Sequence, residues 1–83
     1  MKKFRLSIYS PEQTCLREWL VSKRKEAGLT QRQLADKLQV IHSLIGKVEK
    51  GERRLDVVEF VSYCQALNAN PDEVIKLLEE FQL

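Results

Sequence analysis

The chain has 83 residues, a length that fits one small domain. Its formal net charge is +2, and no apolar run approaches the roughly 18–20 residues of a membrane span, which argues against a membrane protein. With one histidine and two cysteines far apart in the sequence, we expect two buried free thiols, and neither a metal site nor a cofactor.

Charge is distributed unevenly along the chain. Residues 1–54 contain 13 Lys and Arg against 6 Asp and Glu, whereas residues 55–83 contain 1 lysine against 6 acidic residues. The first two-thirds therefore carry +7 and the last third −5. This asymmetry indicates one surface for a polyanion and another for a different contact, and the alternative is an ordinary solvated surface.

The first ten residues, MKKFRLSIYS, are basic but lack the uninterrupted apolar stretch of a signal peptide, so we expect a cytoplasmic protein. Apolar and polar side chains alternate over residues 4–9, which predicts a short strand or extended arm within residues 1–10. A lone strand has no partner in a helical chain. It must lie on the helices or pair with a second copy.

The rest of the chain, residues 11–83, predicts a compact all-α domain of five helices. The helices are expected at about 11–27, 31–38, 42–50, 57–68 and 71–82. Residues that cap helix starts precede four of them, each with a Gln or Glu three residues later that suggests a capping box: Ser10, Thr30, Asp56 and Asn70. Gly28 and Gly51 suit helix ends.

The second and third predicted helices form a helix-turn-helix pattern. Their inner faces are apolar and consist of Leu34, Ala35, Leu38, Ile45 and Val48. Val40, in the turn, is expected to plug the corner between them. The outer faces keep polar or basic residues, namely Gln31, His42, Ser43 and Lys47.

The segments KRKEAGLTQRQLADKL and EKGERR, with apolar residues at 45 and 48, resemble the Cro/Xre-type phage-repressor helix-turn-helix family. The resemblance covers about residues 16–67. It implies that the third helix lies in the major groove of double-stranded DNA and that the start of the second helix touches phosphate. The major groove admits one helix and offers a distinguishable code of donors and acceptors.

The resemblance also implies roles for individual residues. Those expected to meet base edges are His42, Ser43, Gly46 and Lys47. Those expected to contact phosphates are Gln31, Lys50, Arg53 and Arg54. The alternatives are that His42 is a solvated surface residue, that Ser43 only caps the helix and that Lys47 contacts phosphate. By position in the family, Arg24 and Glu49 should pair in the angle between the first helix and the end of the third.

Two positions depart from the family pattern. Gln39 stands where the turn commonly has glycine, and a non-glycine residue in the left-handed region costs about 1 kcal/mol. Ile41 replaces the usual hydroxyl cap of the third helix, which is again worth about 1 kcal/mol. Both bear on the geometry of the turn, and hence on which side chains reach the bases.

The last predicted helix carries an apolar stripe that exceeds what one small domain needs to cover its first helix. We therefore expect a homodimer through Val74, Ile75, Leu78 and Phe81, with residues 4–9 as a second candidate contact. The alternative is that the whole stripe packs within the monomer.

These features predict a sequence-specific DNA-binding transcription regulator that acts as a homodimer. Its size resembles phage repressors, restriction–modification controllers and antitoxin-type regulators. The alternative is a protein-interaction module whose acidic C-terminal third binds a toxin or a polymerase subunit. We expect no enzyme, because the sequence offers no nucleophile–base pair and no glycine-rich phosphate loop.

Overall fold

The computed structural model describes residues 10–82, with side chains through residue 81. The helices are α1 (Pro11–Glu26), α2 (Gln31–Leu38), α3 (His42–Lys50), α4 (Val57–Leu67) and α5 (Pro71–Glu79), followed by a 3-10 turn (Glu80–Gln82). The predicted all-α fold is confirmed for these residues, and all five predicted starts are right. The predicted arm at residues 1–9 and Leu83 lie outside the described residues.

Side-chain caps explain why the starts are predictable. Ser10 accepts the backbone N–H of Gln13 at 3.2 Å, and complete capping boxes form at Thr30 and Asp56. The predicted box at Asn70 is wrong, because Asn70 accepts the N–H of Asp72 while the Glu73 carboxylate pairs with Lys23. A cap of this kind depends only on the few residues around it. The long side chain three positions further along can instead pair with a residue of another helix, as Glu73 does with Lys23.

Both departures from the family pattern are present in the turn. Gln39 adopts the left-handed conformation at φ 59° and ψ 43°, and Ile41 occupies the cap position of α3 without a side-chain hydrogen bond. Because Ile41 is 74% exposed, little packing depends on it. The turn therefore carries both of the stability costs expected from the sequence.

Replacing Ile41 with serine should stabilise the domain by about 1 kcal/mol, because the serine hydroxyl would accept a backbone N–H in the first turn of α3. The apolar side chain of Ile41 cannot accept this hydrogen bond. Urea unfolding followed by circular dichroism measures the change. Ile41→Ala is the matched control, since it removes the same exposed side chain without adding an acceptor. Equal unfolding midpoints for the serine and alanine variants would contradict the cap assignment.

One core holds the five helices together. It comprises Trp19, Leu20, Leu34, Ala35, Ile45, Val48, Tyr63, Cys64, Leu67 and Val74. The inner faces predicted for α2 and α3 are thus buried, apart from Leu38, which is half-buried. Val40, in the turn, is 37% exposed and lines an apolar groove with Leu38 and Leu44, so it covers the corner only in part. Cys64 is buried and Cys15 half-buried, and both are free thiols.

The helix-turn-helix unit is supported from two sides. α1 packs against α3 and α5, and α2 packs against α3 and α4. An ion pair of 2.9 Å between Lys23 and Glu73 joins α1 to α5, and the Lys23 ammonium lies 5.8 Å from the centre of the Trp19 ring. Within residues 10–82, no helix is both long and apolar enough to cross a bilayer.

The burial of α5 corrects part of the predicted dimer surface. Val74 has no exposed surface and belongs to the core, and Leu78 is half-buried against that core. Val74 is therefore not available for a contact with a second copy. Ile75, Leu77 and Phe81 remain 46%, 41% and 39% exposed. The stripe is therefore divided between the monomer core and the surface.

Candidate nucleic-acid interface

The outer face of α3 is polar and open. His42, Ser43, Lys47 and Lys50 are exposed and Gly46 is half-exposed, whereas Ile45 and Val48 on the opposite face are buried. The exposed positions recur at three- and four-residue spacing, so they share one side of the helix. Ser43 lies inside α3, one residue beyond its first, and the cap position belongs to Ile41, so the interpretation of Ser43 as a helix cap is wrong.

The side chain of Gln31 crosses from the start of α2 to α3. Its Nε2 donates to Glu49 Oε1 at 2.9 Å, and its Oε1 lies 3.7 Å from the point that a Cβ on Gly46 would occupy. Gln31 is half-buried. Its amide is therefore fixed against α3, and the N-terminus of α2, with its backbone N–H groups and positive dipole end, lies beside the same helix.

Arg24 and Glu49 form the ion pair that the family resemblance implied. Arg24 Nε and Nη2 donate to the two Glu49 oxygens at 2.7 and 3.1 Å, a bidentate arrangement. The side chains are only 12% and 8% exposed. Arg24 Nη1 also donates to the Leu29 carbonyl at 2.8 Å. The hydrogen bond to Glu49 raises the pKa of Arg24 above its ordinary value.

Glu49 thus accepts from both α1 and α2. The network of Arg24, Gln31 and Glu49 ties α3 to the rest of the domain at its C-terminal half. A bidentate ion pair with so little exposure to solvent keeps its two side chains in one relative geometry, which an exposed ion pair at the surface does not. The side chains on the outer face of α3 are presented by a helix whose position is fixed.

Tyr63 of α4 is a buried neighbour of this network that the sequence did not single out. The residue is 2% exposed, and its hydroxyl has no hydrogen-bond partner in the described part of the chain. Burial raises the pKa of Tyr63, and the Glu49 carboxylate raises it further. The hydroxyl therefore stays protonated. Only the packing of α4 brings this residue near Arg24 and Glu49, so local sequence patterns carry no signal for it.

Arg53 lies in a different setting from the one expected. Its guanidinium forms a bidentate ion pair with Glu59 at 2.6 and 3.0 Å, and it donates to the Arg54 carbonyl at 2.8 Å. Arg53 and the Asp56 backbone together lower the pKa of Glu59 to about 2. Arg53 therefore fastens the 51–56 loop to the first turn of α4, and its contact with phosphate stays a prediction.

Other basic side chains remain near the end of α3. Lys50 and Arg54 are exposed, and Lys50 borders an open groove of about 750 Å³ between α1 and α3, together with Arg17 and Lys25. Glu18 and Glu26 line the same groove, so its charge is mixed. Within residues 10–82, no three His, Cys, Asp or Glu side chains are grouped closely enough to hold a metal ion.

Comparison with known proteins agrees with this geometry. A family model described as helix-turn-helix matches residues 20–81. An XRE-family like protein from Pseudomonas syringae pv. tomato is 35% identical, with 87% of this chain and 88% of that chain covered and a TM-score of 0.78. No curated protein sequence matches the chain significantly.

Two further solved structures have the same fold. The clp gene regulator ClgR from Corynebacterium glutamicum is 25% identical, with 86% and 91% of the two chains covered and a TM-score of 0.74. The restriction–modification controller protein C.Esp1396I is 21% identical, with 86% and 93% covered and a TM-score of 0.74. The family match and the identity to the Pseudomonas protein together show that this chain belongs to the Cro/Xre family of helix-turn-helix proteins, a family of DNA-binding transcription regulators.

Proposed function

We propose that the protein regulates transcription by reading a specific DNA sequence in the major groove with α3, as a homodimer on an inverted repeat. The observation that carries the proposal is the exposed polar face of α3, fixed by the Arg24–Glu49 pair behind it. Direct readout needs side chains held in one geometry relative to the base edges. A single helix contacts few base pairs, and a two-fold dimer doubles the site.

The residues divide into two groups by role. His42, Ser43 and Lys47 face outwards at the start and middle of α3, where they would meet base edges. Gly46 adds no side chain between them, which would let the helix backbone approach the bases. Lys50 and Arg54 would bind phosphates beyond the end of α3, and the N-terminus of α2 at Gln31 would bind another.

A related protein supports a regulatory role. ClgR, at 25% identity, is described as a regulator of clp genes. The chain covers most of that protein's length, so the similarity is not confined to a short motif.

Selection from a random DNA pool tests the proposal. The selected sequences should form an inverted repeat whose half-sites are about 34 Å apart, one helical turn. Enrichment of no common sequence would contradict specific readout. Enrichment of one asymmetric half-site would contradict the dimer while leaving the recognition helix in place.

Replacing Lys47 or Ser43 with alanine should change which bases are preferred, because each bidentate hydrogen-bonded pair with a base edge discriminates by about 1–3 kcal/mol. Selection repeated with each variant measures the preference. Arg32→Ala is a suitable control, because Arg32 is exposed on α2 and is not expected to touch bases. If the variants at 43 and 47 bind all sequences more weakly and to the same degree, both residues are backbone contacts.

A second role is favoured by the surface of α5. Ile75, Leu77 and Phe81 are exposed beside acidic residues of the same segment, which fits a protein partner such as a toxin or a polymerase subunit. Binding of this kind would accompany DNA binding. A toxin or restriction enzyme encoded next to this protein, and co-purification of the two, would support it. Unchanged partner binding after Ile75→Glu would contradict it.

A further inference from the structure

We propose that residues 1–9 dock along the edge of α5 that adjoins α1 in the same chain, with their apolar side chains against Leu77 and Phe81. Docking of this kind needs neither DNA nor a second copy, so it goes beyond the proposed function. Three observations carry it: the point from which residues 1–9 join the domain, the apolar side chains that α5 exposes beside that point, and the opposite charges of the two segments.

The direction of α5 places its C-terminal end beside the start of α1. Lys23, near the end of α1, pairs with Glu73, near the start of α5, at 2.9 Å. At the other end of both helices, burial, Glu18 and Glu80 together raise the pKa of the Cys15 thiol, which requires the Glu80 carboxylate to lie near the second turn of α1. The two helices therefore run antiparallel, and residues 1–9 join α1 next to the end of α5.

The point of attachment is itself packed against the domain. Ser10, the cap of α1, is only 4% exposed, so the residue before it starts at the surface of the domain. An extended segment covers about 3.3 Å per residue, which gives residues 4–9 a reach of about 20 Å. The 9 residues of α5 and the 3 of the following turn span a similar length, about 18–20 Å. Residues 4–9 are therefore long enough to follow α5 from its end to its start.

The edge of α5 beside α1 exposes apolar surface. Leu77 lies four residues after Glu73 and three before Glu80, so all three share the side of the helix that faces α1. Leu77 is 41% exposed, and Phe81, four residues further on, is 39% exposed. Ile75 is also exposed, but it lies on the opposite flank, because two residues turn a helix by about 200°.

Residues 4–9 offer an apolar face that matches this edge. Phe4, Leu6 and Ile8 alternate with more polar residues, and in an extended segment alternate side chains point to one side. One face of the segment can therefore cover Leu77 and Phe81. The flank that carries Ile75 stays open for the protein partner considered above.

The charges of the two segments are opposite. Residues 1–9 contain three basic residues and no acidic one, whereas residues 71–82 contain four acidic residues and one lysine. The formal charges are therefore +3 and −3. Opposite charges at the border of a contact favour the encounter and fix its register. The acidic residues are exposed and belong to α5 or the turn after it: Asp72, Glu73, Glu79 and Glu80.

The other exposed apolar side chains suit a basic segment less well. Among the described residues they lie in the turn after α2 and at the start of α4: Val40, Ile41, Val57, Val58 and Val61. The charge of Arg53 before α4 is matched by Glu59, and Arg54 beside it is exposed. The start of a helix also carries the positive end of its dipole. A segment with three basic residues therefore gains more at α5 than at α4.

The rate at which trypsin cleaves the full chain after Arg5 tests the proposal, with mass spectrometry to identify the product. A protease needs the residues around the cleaved bond to leave the surface, so a docked segment is cleaved slowly. Leu77→Gln removes apolar surface from the contact and should speed this cleavage about tenfold. Ile75→Gln, the matched control on the opposite flank, should be cleaved at the rate of the wild type. Leu77→Ala, expected to act in the same direction, replaces Leu77→Gln if the circular dichroism of that variant is not native.

Nuclear Overhauser effects in a mixture of isotope-labelled and unlabelled chains show which copy supplies the segment. We expect contacts from Leu6 and Ile8 to Leu77 and Phe81 within one labelled chain. Contacts found only between labelled and unlabelled chains would overturn the proposal in favour of a second copy.

Two cleavage results would also overturn it: equal rates for the wild type and both glutamine variants, or protection of Arg5 only after DNA is added, which would make residues 1–9 a DNA contact. These measurements are made without DNA apart from that last comparison. A failure to select any common DNA sequence would therefore contradict the proposed function and leave the docking of residues 1–9 to be decided by cleavage and by the Overhauser effects.

Discussion

Replacing Glu49 with alanine should lower the free energy of unfolding by about 3–5 kcal/mol, because the change removes one partner of a buried ion pair and leaves the other charge uncompensated. Arg24 would keep only the Leu29 carbonyl of the contacts described for its guanidinium, and the Gln31 amide would lose its acceptor. The side chains are too little exposed for water to replace these contacts freely. Urea unfolding of the two proteins measures the difference.

A nearby exposed carboxylate provides the control. Glu52→Ala removes the same charge only three residues further along, but Glu52 is exposed, so its effect should stay within about 0.5 kcal/mol. The loss in the free energy of unfolding for Glu49→Gln should lie between the losses for Glu49→Ala and Glu52→Ala, because the amide keeps one acceptor oxygen but not the charge. Equal unfolding midpoints for Glu49→Ala and the wild type would show that the pair does not hold α3 in place.

DNA binding should weaken about 100-fold between 50 and 200 mM salt if two copies each neutralise two phosphates through Lys50 and Arg54, since each neutralised phosphate contributes about −0.9 to the slope of log K against log salt. This weakening should be the same for all DNA sequences, whereas removal of a base-reading side chain should affect some sequences more than others. Titration of a labelled inverted repeat at several salt concentrations measures the slope.

Arg54→Ala and Arg53→Ala form a matched pair for this measurement. Arg54 is exposed, and its alanine variant should flatten the slope by about 0.9 in each copy. Arg53 is paired with Glu59, so its alanine variant should alter the slope less and loosen the 51–56 loop instead. An equal change in slope for both variants would support the phosphate contact of Arg53 that the family resemblance implied.

Local sequence was sufficient to predict where the helices of this protein begin. The starts of α2 and α4 follow from capping boxes at Thr30 and Asp56, whose partners are three residues away. The left-handed Gln39 and the uncapped Ile41 are likewise properties of short segments. The Arg24–Glu49 pair joins distant segments, and it was predictable only because the family resemblance supplied the relation between α1 and α3 that spacing alone does not contain.

Tertiary structure decided what each side chain does. The sequence could not show that Arg53 pairs with Glu59 and that Gln31 donates to Glu49, because each side chain had several partners within reach until the helices packed. A period of 3.6 residues placed Val74 on an apolar stripe but could not say that the monomer core buries it completely. The same limit applies to Val57 and Val58. Their apolar character is visible in the sequence, but their exposure depends on which neighbours the packing of α2, α3 and α4 leaves within contact distance.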